Sequence, residues 1–95
     1  MTNYNDDGIR ALAVAIAQNA IHEYKYHANK AITRHIRNGI TDPEELFDAT
    51  LGSMLDATRW MRSGWFEMLT GIDGETAVKA FEDYVRGKIR EKLKQ

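Results

Sequence analysis

The chain has no cysteine. That excludes a disulfide framework and any thiolate metal centre, and it fits a reducing compartment. Its longest apolar run, Ala-Leu-Ala-Val-Ala-Ile-Ala at residues 11–17, is far too short to span a bilayer. The opening Met-Thr-Asn-Tyr-Asn-Asp-Asp is acidic and polar, the reverse of a secretory signal. A soluble protein of the cytoplasm is therefore expected, with no membrane contact. Charge of one sign is also missing: 13 basic against 14 acidic residues leave a net charge of −1. This argues against a general polyanion binder, and equally against a DNA mimic, which needs a strong acidic excess. No segment alternates apolar with polar residues over a strand length, and runs of valine and threonine are scarce, so strands are not expected.

What remains is helical periodicity. A chain of 95 residues makes one domain, 1–95, burying only roughly 60–65% of its unfolded surface. A first helix is predicted over about 6–38. Asp6 or Asp7 caps it, and Ile9, Leu12, Ala13, Ile16, Ala20, Tyr24, Ala28, Ala31 and His35 lie along its inward stripe, widened by Ile21, Ile32 and Ile36. Asn38-Gly39 is a stop, because glycine takes the left-handed conformation after a last turn. Thr-Asp-Pro-Glu-Glu at 41–45 is the strongest local signal: Asp42 as N-cap, Pro43 in the first helical position and Glu45 two positions on start a second helix, 43–62. Leu46, Phe47, Leu51, Met54, Leu55 and Met61 are its inward residues, and Gly52 within it suggests a close helix approach. Ser63 caps a short helix over 64–70, and Asp73 caps a last one over 74–93 with Ala77, Val78, Phe81, Val85 and Ile89 facing the core. The fold class is all-α: a small bundle of three long helices and one short corner helix.

A first helix of about 30 residues would be about 45 Å long at ~1.5 Å per residue. A compact chain of this size has a radius of gyration of only ~12–13 Å. The helix must overhang, or break near residues 25–30. An apolar overhang invites a second chain, so a homo-oligomer is expected.

The stretch Arg-Ser-Gly-Trp-Phe-Glu-Met-Leu-Thr-Gly-Ile-Asp-Gly-Glu, 62–75, sets Trp65 and Phe66 among three glycines just after Trp60. A ligand pocket, a partner patch and a corner between helices are all conceivable. The glycines read as stop and start signals, and the aromatics as the plug of the corner, because small domains need such large apolar areas buried.

Reactive constellations are few. His22, His27 and His35 lack the spacing of a zinc motif, so no metal is expected. Gly-Ile-Asp-Gly-Glu lacks the acids and distant glutamate of a calcium loop. There is no phosphate-cradling glycine loop, and Ser53 and Ser63 are the only serines, both in helix or cap contexts. No catalytic residue and no cofactor is assigned, and the chain is not expected to be an enzyme. The best binding candidate is His27, Lys30, Arg34 and Arg37 beside Tyr26. Their spacing sets the four basic side chains on one helix face. Cations beside an aromatic ring suit phosphates and bases. Cations at a helix C-terminus also simply match its dipole, and both readings stand. A helix-turn-helix over 60–90 is disfavoured, since Asp73, Glu75, Glu82 and Asp83 would repel phosphates.

The segment 59–81 resembles short helical proteins encoded in phages, prophages and integrative elements of Gram-positive bacteria. Those carry an element of the form F-F-x-S-x-W-F-x-x-L-T-x-x-D-G-E before an amphipathic helix. Trp60, Met61, Ser63, Trp65, Phe66, Leu69, Thr70, Asp73, Gly74 and Glu75 stand in its positions, with Trp60-Met61 replacing Phe-Phe and Gly64 standing where a charged residue is usual. The likeness extends more loosely through Ala-Ile-His-Glu-Tyr-Lys-Tyr-His-Ala-Asn-Lys-Ala-Ile, spanning about residues 14–82. It carries over no functional residue. It implies a mobile-element setting, in which small helical proteins act as accessory or counter-defence factors. The expectation is thus a non-enzymatic factor that binds and inhibits a host protein. The alternative is a binder of an anionic nucleotide or nucleic acid through the basic face. A structural or assembly protein is the third reading.

Overall fold

The computed structural model describes the backbone of residues 4–94 and the side chains of residues 8–94. The fold is all-α. Among the described residues five helices follow in order: α1 Tyr4–Arg37, α2 Pro43–Ser53, α3 Leu55–Arg62, α4 Trp65–Thr70 and α5 Gly74–Leu93. α1 is unbroken. It starts at Tyr4, so Asp6 and Asp7 lie within it and not at its cap.

The region 43–62, expected as one helix, is two. Met54 leaves helical geometry at φ −114°, ψ 24°, and its N–H turns back to the Leu51 carbonyl at 3.0 Å. Gly52, with its low helix propensity, lies two residues before this break. The space around it is open, so it mediates no close helix approach. That role belongs to Gly74, whose α-carbon is pressed against the backbone of Met61 and Arg62. The resulting bend swings α3 away from α2, so that Leu55, expected inward, is exposed while Met54, Ala57 and Met61 are buried.

Two of the polar caps form where the sequence puts them. The Asp42 carboxylate accepts from the Glu45 N–H at 3.0 Å, and Asp73 accepts from the Thr76 N–H at 3.1 Å. Gly39 closes α1 at φ 100°, with its N–H on the Ile36 carbonyl. At α4 the cap position is taken by Gly64 in the left-handed region, φ 90°, and not by Ser63. The Ser63 hydroxyl donates to the Trp60 carbonyl at 2.7 Å and accepts from the Trp65 N–H at 3.4 Å.

The core lies between the C-terminal half of α1 and the other four helices. Ala28 and Ile32 of α1, Leu46 and Phe47 of α2, Met61 of α3, Phe66 of α4 and Val78, Phe81, Val85 and Ile89 of α5 are buried together. A file of aromatic rings crosses it. Phe66 meets Trp60 edge to face at 5.5 Å, Trp60 meets Tyr24 at 6.1 Å, Tyr24 meets Phe81 at 6.5 Å, and Phe81 stacks near Tyr84 at 6.5 Å. Such contacts add about 0.5–1.5 kcal/mol each beyond area burial, and here they tie α4, α3, α1 and α5 together. The Asn29 amide donates to the Tyr84 hydroxyl at 2.7 Å, joining α1 to α5. On the opposite side Arg86 lies 3.7 Å over the Phe47 ring and reaches Glu44 at 3.0 Å, clamping α5 on α2.

The molecule measures 58 × 20 × 17 Å with a radius of gyration of 15.9 Å, against about 12 Å for a compact chain of this length. The excess length is α1. Its first buried side chain is Ala17, and the residues described before it are mostly exposed, with α4 alone beside them.

Candidate functional site

Three surface regions come from the sequence and the fold together. The first is the projecting part of α1. Ile9, Leu12 and Ile16, expected to face the core, are 64%, 62% and 50% exposed. Their spacing of three and four places them on one face. At about 100° per residue that face points roughly a third of a turn away from the line of Ala17, Ile21, Tyr24 and Ala28 that enters the core. From Gly8 to Ile21 the only charged residue is Arg10. An apolar helix with little charge on any side is ordinarily a buried one.

The second region is α4 and its flanks. Phe66 is buried, and Trp60 is half-buried between Tyr24 and Phe66. Trp65, expected in the corner with them, is 60% exposed, as is Met68 at 72%. α4 has only six residues, so it offers one narrow inward face. Phe66 and Thr70 lie one turn apart on it, with the Thr70 hydroxyl donating to the Phe66 carbonyl at 2.7 Å. Trp65 stands one residue from Phe66, about 100° around the helix, and so points outward. Between α4 and the arm of α1 lies an open groove of about 670 Å³ lined by Ile9, Ala13, Val14, Met68 and Leu69. It continues along α1 into clefts walled by Ile21, Phe66, Ile72 and Phe81. The apolar arm is thus one wall of a mostly apolar trough.

The third region is the basic end of α1. Lys30 and Arg34 form a ridge with a cleft on either side. His27 lines one cleft, of about 440 Å³, with Tyr24, Ser53 and Asp56. Tyr26 and Arg37 line the other, of about 430 Å³, with Asn29, Thr33 and, from α5, Lys92. The predicted set is therefore divided: Tyr26, Lys30, Arg34 and Arg37 share one cleft, and His27 belongs to its neighbour. Lys92 was not recognised from the sequence, because only the packing of α5 beside α1 brings it there. The Lys30 ammonium sits 5.0 Å from the Tyr26 ring centroid. His35 Nε2 lies 3.2 Å from the Ser53 hydroxyl, a link between α1 and α2.

Among the described residues no group of three or more His, Cys, Asp or Glu side chains is placed to hold a metal ion, and no helix is long and apolar enough to cross a membrane. The Tyr24 phenol is held above its ordinary pKa by burial first, then by the carboxylates of Glu23 and Asp56. Comparison with protein-family models, curated proteins and solved structures found no significant match.

Proposed function

We propose that this chain is a non-enzymatic accessory protein that binds another protein through the apolar arm of α1, and that its partner is a host protein which it inhibits in a phage-type counter-defence role. The observation that carries the binding mode is the exposed Ile9–Leu12–Ile16 face on a helix with one charge between Gly8 and Ile21. Contiguous exposed apolar surface of this kind marks an interaction site. An amphipathic helix laid against an apolar groove is a common recognition mode. The mobile-element setting rests on the resemblance of residues 59–81. In the free protein the same face pairs with a second copy, and the partner competes for it.

The test is affinity capture from a Gram-positive host lysate, identification of the captured protein by mass spectrometry, and reconstitution with that protein purified. The triple change Ile9→Glu, Leu12→Glu and Ile16→Glu should abolish the reconstituted binding. Its helicity should stay near that of wild type, because none of the three contributes to the core. Binding that survives the triple change, or no reproducible capture, would sink the reading.

A further inference from the structure

We propose that the cleft between the C-terminal halves of α1 and α5 is a separate binding site for a small phosphate-bearing anion of nucleotide size. Lys30, Arg34 and Arg37 from α1 and Lys92 from α5 converge on it, with Asn29, Thr33 and Tyr26 completing the lining. Among the described residues no carboxylate lines it. The ion pairs among the described residues are Arg62–Glu75, Arg86–Glu44 and Lys88–Glu91, so none of the four cations is neutralised by one. Four like charges gathered from two helices repel each other, and a bound anion relieves that repulsion.

Helix dipoles explain part of this arrangement. α1 and α5 run in the same direction: Tyr24 packs on Phe81, Lys25 sits over Tyr84, and Arg37 shares its cleft with Lys92. Two negative carbonyl ends therefore lie side by side, and cations near them are stabilising. That accounts for Arg34 and Arg37 in the last turn of α1 and Lys92 in the last turn of α5. It does not account for Lys30, two turns before the end of α1, because the dipole effect fades within one turn. Nor does it account for the polar Asn29 and Thr33 on the same wall. Asn29 is fixed in place by its hydrogen bond to Tyr84, so the cleft has a positioned amide as well as charge.

The chemistry names the ligand class, and the open cleft has room for it. A volume of about 430 Å³ lies within the range of small-molecule sites. Two guanidinium groups suit bidentate contact with phosphate oxygens, and the exposed Tyr26 ring gives a base an aromatic surface. A long nucleic acid fits less well. The whole chain carries −1, and five acids with no base occupy residues 42–56.

The experiment is calorimetric titration of the full chain with pyrophosphate, with ADP and GDP, and with a twelve-residue oligothymidylate, each at low and moderate salt. Pyrophosphate and at least one nucleotide should bind, more weakly as salt rises. Arg34→Gln and Lys92→Gln should each weaken binding by about tenfold or more, as expected for loss of a charge-assisted contact. Tyr26→Ala should weaken nucleotide binding and spare pyrophosphate. Arg59→Gln, on α3 outside the cleft, should change nothing. No binding of pyrophosphate or nucleotide at millimolar concentration overturns the proposal, as does binding indifferent to Lys92→Gln. Oligothymidylate binding tighter than every nucleotide overturns it in favour of a nucleic-acid surface. Because these residues lie away from the Ile9–Leu12–Ile16 face, either site can fail without the other.

Discussion

Gly74 packs with its α-carbon directly against the carbonyl oxygen of Met61, with no room for a Cβ atom: an added methyl group would collide with that oxygen and approach the Arg62 α-carbon to 3.2 Å. Both contacts are backbone, so no side-chain rotation can relieve them. This is the point where α5 starts beside the end of α3, and the exposed fork of Arg62 on Glu75, 2.8 Å at its shorter arm, spans the same junction. Gly74→Ala should destabilise by about 1–3 kcal/mol, the usual cost of overpacking. Gly87, inside α5 and close only to the tip of Arg90 at 3.9 Å, should behave oppositely, with Gly87→Ala gaining about 0.5–1 kcal/mol from helix propensity. Urea unfolding of the two variants checks the contrast in sign.

Trp65 and Phe66 are neighbours with different roles. Phe66→Ala empties a buried site and should cost about 3–5 kcal/mol. Trp65→Ala removes a mostly exposed ring and should cost no more than about 1 kcal/mol. Equal losses in denaturant midpoint would mean that Trp65 is buried in solution, for instance by a second chain.

The arm of α1 should make the free protein self-associate. Light scattering at micromolar concentration should give at least a dimer, and Ile9→Glu with Ile16→Glu should return a monomer of unchanged helicity. A monomeric mass for wild type over a wide concentration range would remove self-pairing, leaving the partner protein as the only occupant proposed for that face.

Thr50 is fully buried on α2, and its hydroxyl has no hydrogen-bond partner among the described residues. A buried donor without a partner costs about 1–3 kcal/mol. Thr50→Val keeps the shape and removes that penalty, so it should raise stability by roughly 1 kcal/mol or more. A lower melting temperature in the valine variant would show that the hydroxyl is satisfied in solution.

Tyr24 links pH to stability. Its folded pKa lies above the ordinary value of 10.0 because burial, and then Glu23 and Asp56, disfavour the phenolate. The folded state therefore holds this proton more tightly than the unfolded chain. The contribution is fully present below pH 10 and is lost as pH rises through the folded pKa. Wild type should lose stability above pH 10 more steeply than Tyr24→Phe. Parallel declines in the two proteins would refute the linkage.

The sequence by itself determined the helical class, the caps at Asp42 and Asp73 and the identity of the core on α5. Asp42-Pro43 and Asp73 are local signals, satisfied within three residues of themselves, and Val78, Phe81, Val85 and Ile89 recur at helical spacing on a helix packed along most of its length. Where helices meet, the sequence was ambiguous. Ile9, Leu12 and Ile16 share the spacing of a core stripe, but a stripe is buried only if another element reaches it, and α4 and α5 cover a different side of α1. Trp65 and Phe66 are equally apolar, and only the direction in which Gly64 turns the chain into α4 decides which of them enters the core. The break at Met54 was hidden for the same reason: one glycine weakens a helix without specifying a bend, and burial of Met54, Ala57 and Met61 selects the bent form. Lys92 joins Lys30, Arg34 and Arg37 across 55 residues or more of chain. No local pattern encodes that meeting, because it follows from α5 packing parallel to α1 through Asn29, Tyr24 and their partners Tyr84 and Phe81.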